Sequence, residues 1–264
     1  MTPPETAWTI PPPGLVLDPA QVHVWRISLA RLVPQFAELA SSLPEDERAR
    51  AARFRFPVHR NRFIAAHRAL RAILAHYLRT TAAALRFQYS GHGKPSLASG
   101  VSGLDLHFNL SHSNELALVG VTLGRDIGVD IEQVRPEFAG LDIAQRFFAP
   151  GEVAALRALP EPERASAFFR CWTRKEAFVK ARGEGLSLPL DRFEVSLQPG
   201  VPAALLRAEL ERDEASRWEI ADVAPGAGYA GAVAVRDRGW TLRTWEFPAE
   251  TGVLLANRLT LERE

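Results

Sequence analysis

Residues 127–132 read Ile127-Gly128-Val129-Asp130-Ile131-Glu132, a run that is typical of a β-strand. Because side chains alternate across a strand, Asp130 and Glu132 share one face and the apolar residues share the other. Two neighbouring carboxylates repel each other unless water solvates them, one is protonated or a cation bridges them. The pair therefore predicts either a solvated sheet edge or a site for magnesium, which prefers oxygen ligands.

A long predicted helix, Glu163 to Arg182, contains Trp172-Thr173-Arg174-Lys175-Glu176-Ala177-Phe178-Val179-Lys180 and stops at Gly183. Trp172, Glu176 and Lys180 are spaced by four residues and so lie on one face of it. That spacing fits a surface ion pair beside a core tryptophan, or a third metal ligand beside a phosphate-binding ammonium. The chain has 29 arginines and only three lysines, and two of those lysines fall here, which favours the second interpretation.

The other half of the chain has the same combination of a long helix and short strands. Apolar residues from Arg60 to Leu78 recur at helical spacing and predict a second long helix, and short strand-like stretches surround both helices. The sequence therefore predicts two similar α+β halves with a boundary near Gly124. We expect a flexible leader over residues 1–14, an N-terminal half over 15–124, a C-terminal half over 125–247 and a tail over 248–264. The predicted strands lie at 22–27, 106–110, 115–123, 127–134, 193–197, 218–223, 229–235 and 241–247.

Composition excludes several classes of protein. Hydrophobic residues are 47% and charged residues 24%, as in soluble globular proteins, and the net charge of +1 argues against coating nucleic acid or an anionic membrane. One cysteine, Cys171, rules out a disulfide framework and a multi-cysteine metal cluster. No apolar run reaches the roughly 20 residues of a membrane span. We expect a cytoplasmic protein that binds neither nucleic acid nor membrane.

Two further turns carry polar groups. In Gly91-His92-Gly93-Lys94-Pro95 the rigid turn either holds an ammonium toward an anion or is a plain surface turn. Ser111-His112-Ser113-Asn114 predicts a turn between two strands, whose hydroxyl, imidazole and N–H groups either bind phosphate oxygens or satisfy the turn itself. Zinc spacing, a Walker loop and a Gly-x-Gly-x-x-Gly fingerprint are absent from the sequence.

Singly these signals are weak, but their order is specific. Gly93-Lys94-Pro95, Phe108 to Ser113, Gly128 to Glu132, Trp172 to Lys180 and Gly183 to Leu186 follow one another as in the 4′-phosphopantetheinyl transferases. The sequence resembles the larger, monomeric, surfactin-synthetase-activating type over roughly residues 44 to 235.

The resemblance implies an α+β fold of two similar subdomains related by a pseudo-twofold, with coenzyme A in the cleft between them. It also implies transfer of 4′-phosphopantetheine from coenzyme A to a serine of an apo acyl or peptidyl carrier protein, with release of adenosine 3′,5′-bisphosphate. Asp130, Glu132 and Glu176 would hold magnesium or manganese, which resolves the repulsion between the carboxylates. Glu176 would be the base, and Lys180 would offset phosphate charge.

The resemblance further implies a set of coenzyme A contacts: Arg50, Arg62, Lys94, Pro95, Ser111, His112 and Lys180. One departure is Glu47, which stands where the family type has a basic residue, so that Arg48 or Arg53 would substitute in holding the 3′-phosphate. An acidic carrier protein should meet a partly apolar surface, for which the candidates are Phe138, Leu141, Phe147 and Phe148.

Two other readings stay open on the residues alone. A magnesium-dependent phosphohydrolase would use the same acids and lysine without an acceptor protein. A coenzyme A or carrier-protein binding module would keep the fold without catalysis. A nucleic-acid binder is disfavoured because acids balance the arginines. The sequence does not name the carrier, since fatty acid, polyketide and nonribosomal peptide synthesis share this serine chemistry.

Overall fold

Groups of helices and groups of strands follow one another along the chain in a computed structural model that describes residues 6–32, 42–98, 103–209 and 213–248. The described strands are β1 (Gln21–Ser28), β2 (Phe87–Tyr89), β3 (Pro95–Leu97), β4 (Leu106–Ser113), β5 (Leu116–Leu123), β6 (Ile127–Gln133), β7 (Phe193–Val195), β8 (Leu205–Ala208), β9 (Trp218–Val223), β10 (Tyr229–Arg236) and β11 (Thr241–Glu246). The described α-helices are α1 (Leu29–Leu32), α2 (Glu45–Ala52), α3 (Pro57–Tyr77), α4 (Leu141–Phe147), α5 (Pro150–Ala158) and α6 (Glu161–Arg182). The short strands β2, β3 and β8 were not predicted, because three or four residues carry too little alternation.

Two β-sheets form the centre of the fold. The first has the order β11-β1-β5-β4 and the second has the order β6-β10-β9. Without β11 the two strand orders correspond. Each half contributes a strand, a long helix, a two-stranded hairpin and two further strands, in that order along the chain. The last of these strands lies between the other two in its sheet. The chain therefore builds one α+β pattern twice, and the predicted fold class is confirmed.

Each long helix covers one sheet, and the sheets also pack on each other. The apolar face of α3 lies in a core with β1, β4 and β5, and that of α6 lies in a second core with β9 and β10. A third cluster joins the halves and contains Val22, Val24, Leu118, Ile127, Val129, Ile131, Val223, Val233 and Val235. Burial of this shared valine-rich layer removes apolar surface of both halves from water, which stabilises their contact.

Two expectations about the chain ends differ from the structure. Strand β11, predicted in the C-terminal half, pairs in parallel with β1 of the first sheet. In the expected flexible leader, Thr9 pairs with Trp245 of β11, and the Trp8 indole donates to the Ala224 carbonyl over 2.7 Å. Both segments satisfy main-chain groups that a sheet edge would leave open. Residues 1–5 of the leader and 249–264 of the tail lie outside the described residues.

A buried polar network links β1 to α3. His23 contacts the Tyr77 hydroxyl through Nδ1 over 2.7 Å and Gln21 Oε1 through Nε2 over 2.9 Å, and Trp25 Nε1 donates to the same hydroxyl over 3.0 Å. A neutral imidazole with its proton on Nε2 satisfies this pattern. Burial, reinforced by the charge of Arg243, lowers the pKa of His23 from 6.5 to about 4.

We expect the free energy of unfolding to fall by up to about 3 kcal/mol as the pH is lowered from about 6.5 to about 4 through this one group. In that window the imidazole of the unfolded chain binds a proton and the folded one does not, so acid favours unfolding. Urea unfolding across this range should give a shallower pH dependence for His23→Gln than for the unmutated protein. Equal slopes would contradict the assignment.

Candidate active site

Alternate side chains of β4 join the first half to the acid strand β6. Asn109 Oδ1 accepts from the Val129 amide over 2.9 Å, Ser111 Oγ donates to Asp130 Oδ1 over 2.9 Å, and Ser113 Oγ donates to Glu132 Oε2 over 2.8 Å. The predicted turn at residues 111–114 is therefore wrong, because β4 continues to Ser113. The period of two from Asn109 to Ser113 was the signal that could have shown this.

Helix α6 touches β6 directly because residue 128 is glycine. A Cβ atom on Gly128 would lie 2.1 Å from the Ala177 carbonyl oxygen and 2.3 Å from the Ala181 nitrogen, so any side chain would push the helix away. This close approach brings Lys180 to the acids. Its Nζ donates to Asp130 Oδ1 over 2.6 Å and to Ser111 Oγ over 2.9 Å. The first half, β6 and α6 thus meet at one hydrogen-bonded cluster.

Negative charge concentrates at this cluster. Asp130 is 2% exposed, and its Oδ2 is buried with no hydrogen-bond partner among the described residues. Burial raises the pKa of Glu176, and the charges of Asp130 and Glu132 raise it further. Burial and then Asp130 likewise raise the pKa of Glu132. The charge of Asp130 therefore acts on both Glu132 and Glu176, the two other carboxylates that the family resemblance assigns to this site.

The described ranges contain no set of three or more His, Cys, Asp or Glu side chains already arranged to hold a metal ion. The chemistry of the predicted ligands nevertheless fits magnesium. Asp130 Oδ2 is a buried oxygen without a donor, and the neighbouring carboxylates repel it. A dication with oxygen preference would satisfy both conditions.

Two other charged side chains of α6, Arg174 and Lys175, bind groups of the C-terminal half. Lys175 is fully buried, and its Nζ lies 2.7 Å from the Leu190 carbonyl, 2.6 Å from the Phe193 carbonyl and 2.8 Å from Glu152 Oε2. Arg174 forms a fork with both oxygens of Asp222 at 2.8 and 2.6 Å. These two side chains fix α6 to its own half, so that the opposite face of the helix is held against β6.

A basic group lies beside the cluster. His112 lies at the end of β4, where desolvation and then the charges of His67, Lys180, Arg62 and His59 lower its pKa from 6.5 to about 4, so the imidazole is neutral and the positive charge here comes from Arg62 and Lys180. Arg62, on α3, donates through one terminal nitrogen to Asn114 Oδ1 and to Glu115 Oε1. Its Nε is buried and without a partner in the described part of the chain. The group can therefore accept an anion.

Lys94 and Pro95 line a cavity of about 460 Å³ between the β2–β3 hairpin, the start of β4 and the end of α6. Lys94 Nζ donates to the Ala181 carbonyl over 2.7 Å, near the carbonyl end of α6, where a cation is favoured. Burial lowers the pKa of this lysine. Asp126 and Arg182 also line the cavity, which gives it groups of both charges.

Arg50 lies apart from this cavity. Its guanidinium stands over the ring of Tyr89 at 5.0 Å, and with Arg53, Phe54 and Phe63 it lines a second cavity of about 210 Å³. Arg48 instead forms an exposed ion pair with Glu45. Among the predicted substitutes for the basic position, Arg53 is therefore the one that shares a cavity with Arg50.

Glu47, the departure from the family pattern, faces the interior. Its side chain is 0% exposed and accepts from Arg71 Nε over 2.9 Å and from His67 Nδ1 over 3.2 Å. Burial opposes its charge, but the hydrogen bonds from His67 and Arg71 hold the pKa of Glu47 below its usual value. Glu47 therefore anchors α2 on α3, which the local sequence did not indicate.

The apolar candidates for carrier contact divide into two kinds. Phe138 is 48% exposed and Phe147 is 37% exposed, whereas Phe148 is 3% exposed and belongs to the core around α6. Leu141 is half-buried against the same core. Phe147 lies edge-on to Trp172 at 6.0 Å, one turn before Glu176 on α6. Only Phe138 and Phe147 of the four aromatic and aliphatic candidates present an open face.

Comparison with known proteins identifies the family of this chain. A family model described as the 4′-phosphopantetheinyl transferase superfamily matches residues 126–234, and one described as 4′-phosphopantetheinyl transferase, N-terminal, matches residues 30–122. The 4′-phosphopantetheinyl transferase HetI of Nostoc sp. is 41% identical over 240 residues, which are 91% of this chain and 98% of that protein.

More distant relatives match over shorter parts of the chain. The 4′-phosphopantetheinyl transferase Sfp of Bacillus subtilis is 32% identical over 60% of this chain and 67% of its own length. A phosphopantetheinyl transferase of Thraustochytrium sp. is 29% identical over 74% of this chain and 72% of its own. No described helix is both long and apolar enough to cross a membrane. The chain belongs to the 4′-phosphopantetheinyl transferase family, enzymes that transfer phosphopantetheine from coenzyme A to carrier proteins.

Proposed function

We propose that this enzyme transfers 4′-phosphopantetheine from coenzyme A to a serine of an apo acyl or peptidyl carrier protein at the Asp130–Lys180–Ser111 cluster. The observation that carries the proposal is the buried Asp130 Oδ2 without a donor, next to two carboxylates whose pKa values its charge helps to raise. Asp130, Glu132 and Glu176 would hold magnesium or manganese. Bound there, the dication would offset negative charge on the pyrophosphate oxygens.

Glu176 is the proposed general base. It takes the proton of the carrier serine, directly or through one water, while the serine oxygen forms a bond to the phosphorus attached to pantetheine. The phosphorus–oxygen bond to the adenosine 3′,5′-bisphosphate breaks, and its electron pair leaves with that product. With no dication bound, burial and then the charge of Asp130 raise the pKa of Glu176, and a bound dication would keep the carboxylate ionised and so able to take a proton.

Lys180 and Arg62 are proposed to bind the phosphates. Lys180 already offsets the charge of Asp130, and its side chain is 30% exposed, so its ammonium can also reach a phosphate oxygen. The proposed coenzyme A contacts are Arg50, Arg62, Lys94, Pro95, Ser111, His112 and Lys180. The cavity of about 460 Å³ beside Lys94 and Pro95 supports a site for the adenosine end.

We further propose that one chain suffices for catalysis. The acids and Lys180 come from the C-terminal half, whereas Ser111, Arg62 and Lys94 come from the N-terminal half, so both sides of the site belong to a single chain. The shared apolar layer between the sheets supports this arrangement, because it holds the halves together without a second copy.

The proposed carrier surface consists of Phe138, Phe147, Arg135 and Arg146. Each exposed phenylalanine lies under an arginine, with the guanidinium of Arg135 at 4.5 Å from Phe138 and that of Arg146 at 5.3 Å from Phe147. An apolar patch with positive charge suits a helix that has apolar and acidic side chains. Phe147 of this surface contacts Trp172 edge-on, and Glu176 lies one turn after Trp172 on α6.

We expect Phe147→Ser to raise the KM for the carrier protein about tenfold and to leave the KM for coenzyme A unchanged, because aromatic side chains are enriched among the interface residues whose truncation costs more than about 1 kcal/mol. Leu206→Ser, which removes another exposed apolar side chain on β8, is the matched control. Equal carrier KM values for both variants would place the carrier elsewhere.

The function itself is tested by the intact mass of an apo carrier protein after incubation with the enzyme, coenzyme A and magnesium. The mass should increase by one phosphopantetheine on the carrier serine, and a chelator should abolish the increase. Cleavage of coenzyme A without an acceptor would support a phosphohydrolase instead. Binding of coenzyme A without cleavage or transfer to any carrier type would support a binding module.

A further inference from the structure

A carboxylate from another part of the chain pairs with an arginine of a strongly basic stretch of sequence. Residues 48–104 contain ten arginines and one lysine but no aspartate or glutamate. The turn between β4 and β5 brings Glu115 to α3 of this region, where its carboxylate pairs with Arg62. The pair is separated by 53 positions in sequence, so only the fold makes it.

The main chain of Glu115 is fixed, whereas its side chain is open. Its carbonyl accepts from the Leu29 amide over 2.9 Å, and its amide donates to the Tyr229 hydroxyl over 3.4 Å. The side chain is 44% exposed, against 18% for that of Arg62. Rotation of the Glu115 carboxylate toward water therefore requires no movement of the turn, and Arg62 remains in place.

Arg62 would keep a partner after such a rotation. Asn114 Oδ1 accepts from the same terminal nitrogen as Glu115, and the neighbouring Nε of Arg62 has no partner in the described ranges. On the edge that Glu115 occupies, the guanidinium therefore has two N–H groups, on Nε and on the terminal nitrogen, that can donate to an incoming anion. Other positive side chains stand close by, because His112 interacts electrostatically with both Arg62 and Lys180.

We propose that Glu115 is a displaceable counter-ion of Arg62. Its carboxylate neutralises the guanidinium in the free enzyme and leaves it when a phosphate group of the nucleotide arrives. The inference rests on the proposed coenzyme A site. Because coenzyme A and adenosine 3′,5′-bisphosphate both carry nucleotide phosphates, Glu115 weakens the binding of both and so favours release of the product.

The test is the Kd of each nucleotide for the full-length protein, measured by titration calorimetry. Glu115→Gln removes the charge and keeps the shape of the side chain, so both Kd values should fall by about twofold to fivefold, as expected for a partly exposed ion pair. Glu209→Gln is the matched control, because Glu209 is 47% exposed and pairs with Arg207 at 2.7 Å on another part of the surface. The control should change neither Kd.

A second pair of variants tests whether the effect passes through Arg62. In an Arg62→Ala background, the additional change Glu115→Gln should have no effect on either Kd. An unchanged or higher Kd in the single variant, or an equal gain in the Arg62→Ala background, would overturn the role of Glu115 while the coenzyme A site stands. If the unmutated protein binds neither nucleotide, the proposed site and the role of Glu115 both fail.

Discussion

Glu176→Gln should lower kcat for phosphopantetheine transfer by about 10²- to 10⁴-fold, which is the range that a positioned general base contributes. The amide cannot take the serine proton, but it has nearly the same size and can still accept a hydrogen bond. The Kd for coenzyme A should stay within about threefold of the unmutated value, because the basic residues are untouched. Rapid-quench measurement of carrier modification, together with calorimetric binding of coenzyme A, would separate the two effects.

The matched control for this variant is Glu161→Gln. Glu161 lies exposed in the first turn of the same helix, about four turns before Glu176, and its replacement should leave both kcat and the Kd unchanged. Full activity of Glu176→Gln would refute the role of Glu176 as the base. A loss of activity that equals the loss of coenzyme A binding would make it a binding residue.

Asp130→Ala should lower the transfer rate by about 10²- to 10³-fold at fixed magnesium and raise the magnesium concentration needed for half-maximal rate. Asp130 brings a buried oxygen without a donor to the cluster, and it also accepts from both Ser111 and Lys180. Removing it takes away a proposed ligand and leaves the ammonium of Lys180 without its counter-charge. Initial rates across a magnesium titration would give the result.

Asp130→Asn distinguishes loss of the metal from loss of structure. The asparagine keeps one oxygen for Ser111, so its melting temperature should lie close to that of the unmutated protein while the magnesium dependence shifts. Asp191→Asn, an exposed aspartate in the C-terminal half, is the control for charge alone. A magnesium dependence equal to that of the unmutated protein in both Asp130 variants would show that the metal site is misplaced.

Much of the fold could be predicted from local sequence. The long helices were found because apolar residues recur at 3.6-residue spacing over many turns, as in α6 with its Gly183 stop at φ +76°. The strand with Asp130 and Glu132 was found because its apolar residues alternate with the acids. The family order of motifs then related Glu176 and Lys180 to that strand, although the motifs stand more than 40 positions apart.

Local patterns failed where a residue takes its role from a distant partner. Ser111 and Ser113 look like turn residues by composition, but their hydroxyls bind the acids of β6. Glu47 looks like a surface residue of a first helical turn, but Arg71 and His67 enclose it. In each case the hydrogen-bond partner that decides the burial is absent from the local window.

The sequence by itself determined the two long helices and the longer strands, and it placed the acids of β6 and the lysine of α6 in one family pattern. Hydrophobic periodicity along the chain records the helices and strands directly, whereas the link between the acids and the lysine came from the order of the family motifs. Only the tertiary structure decided that β11 joins the first sheet, that Gly128 lets α6 rest on the acid strand and that Glu115 meets Arg62. Such contacts depend on which surfaces remain unpaired after the halves pack together, and no stretch of sequence contains that information alone.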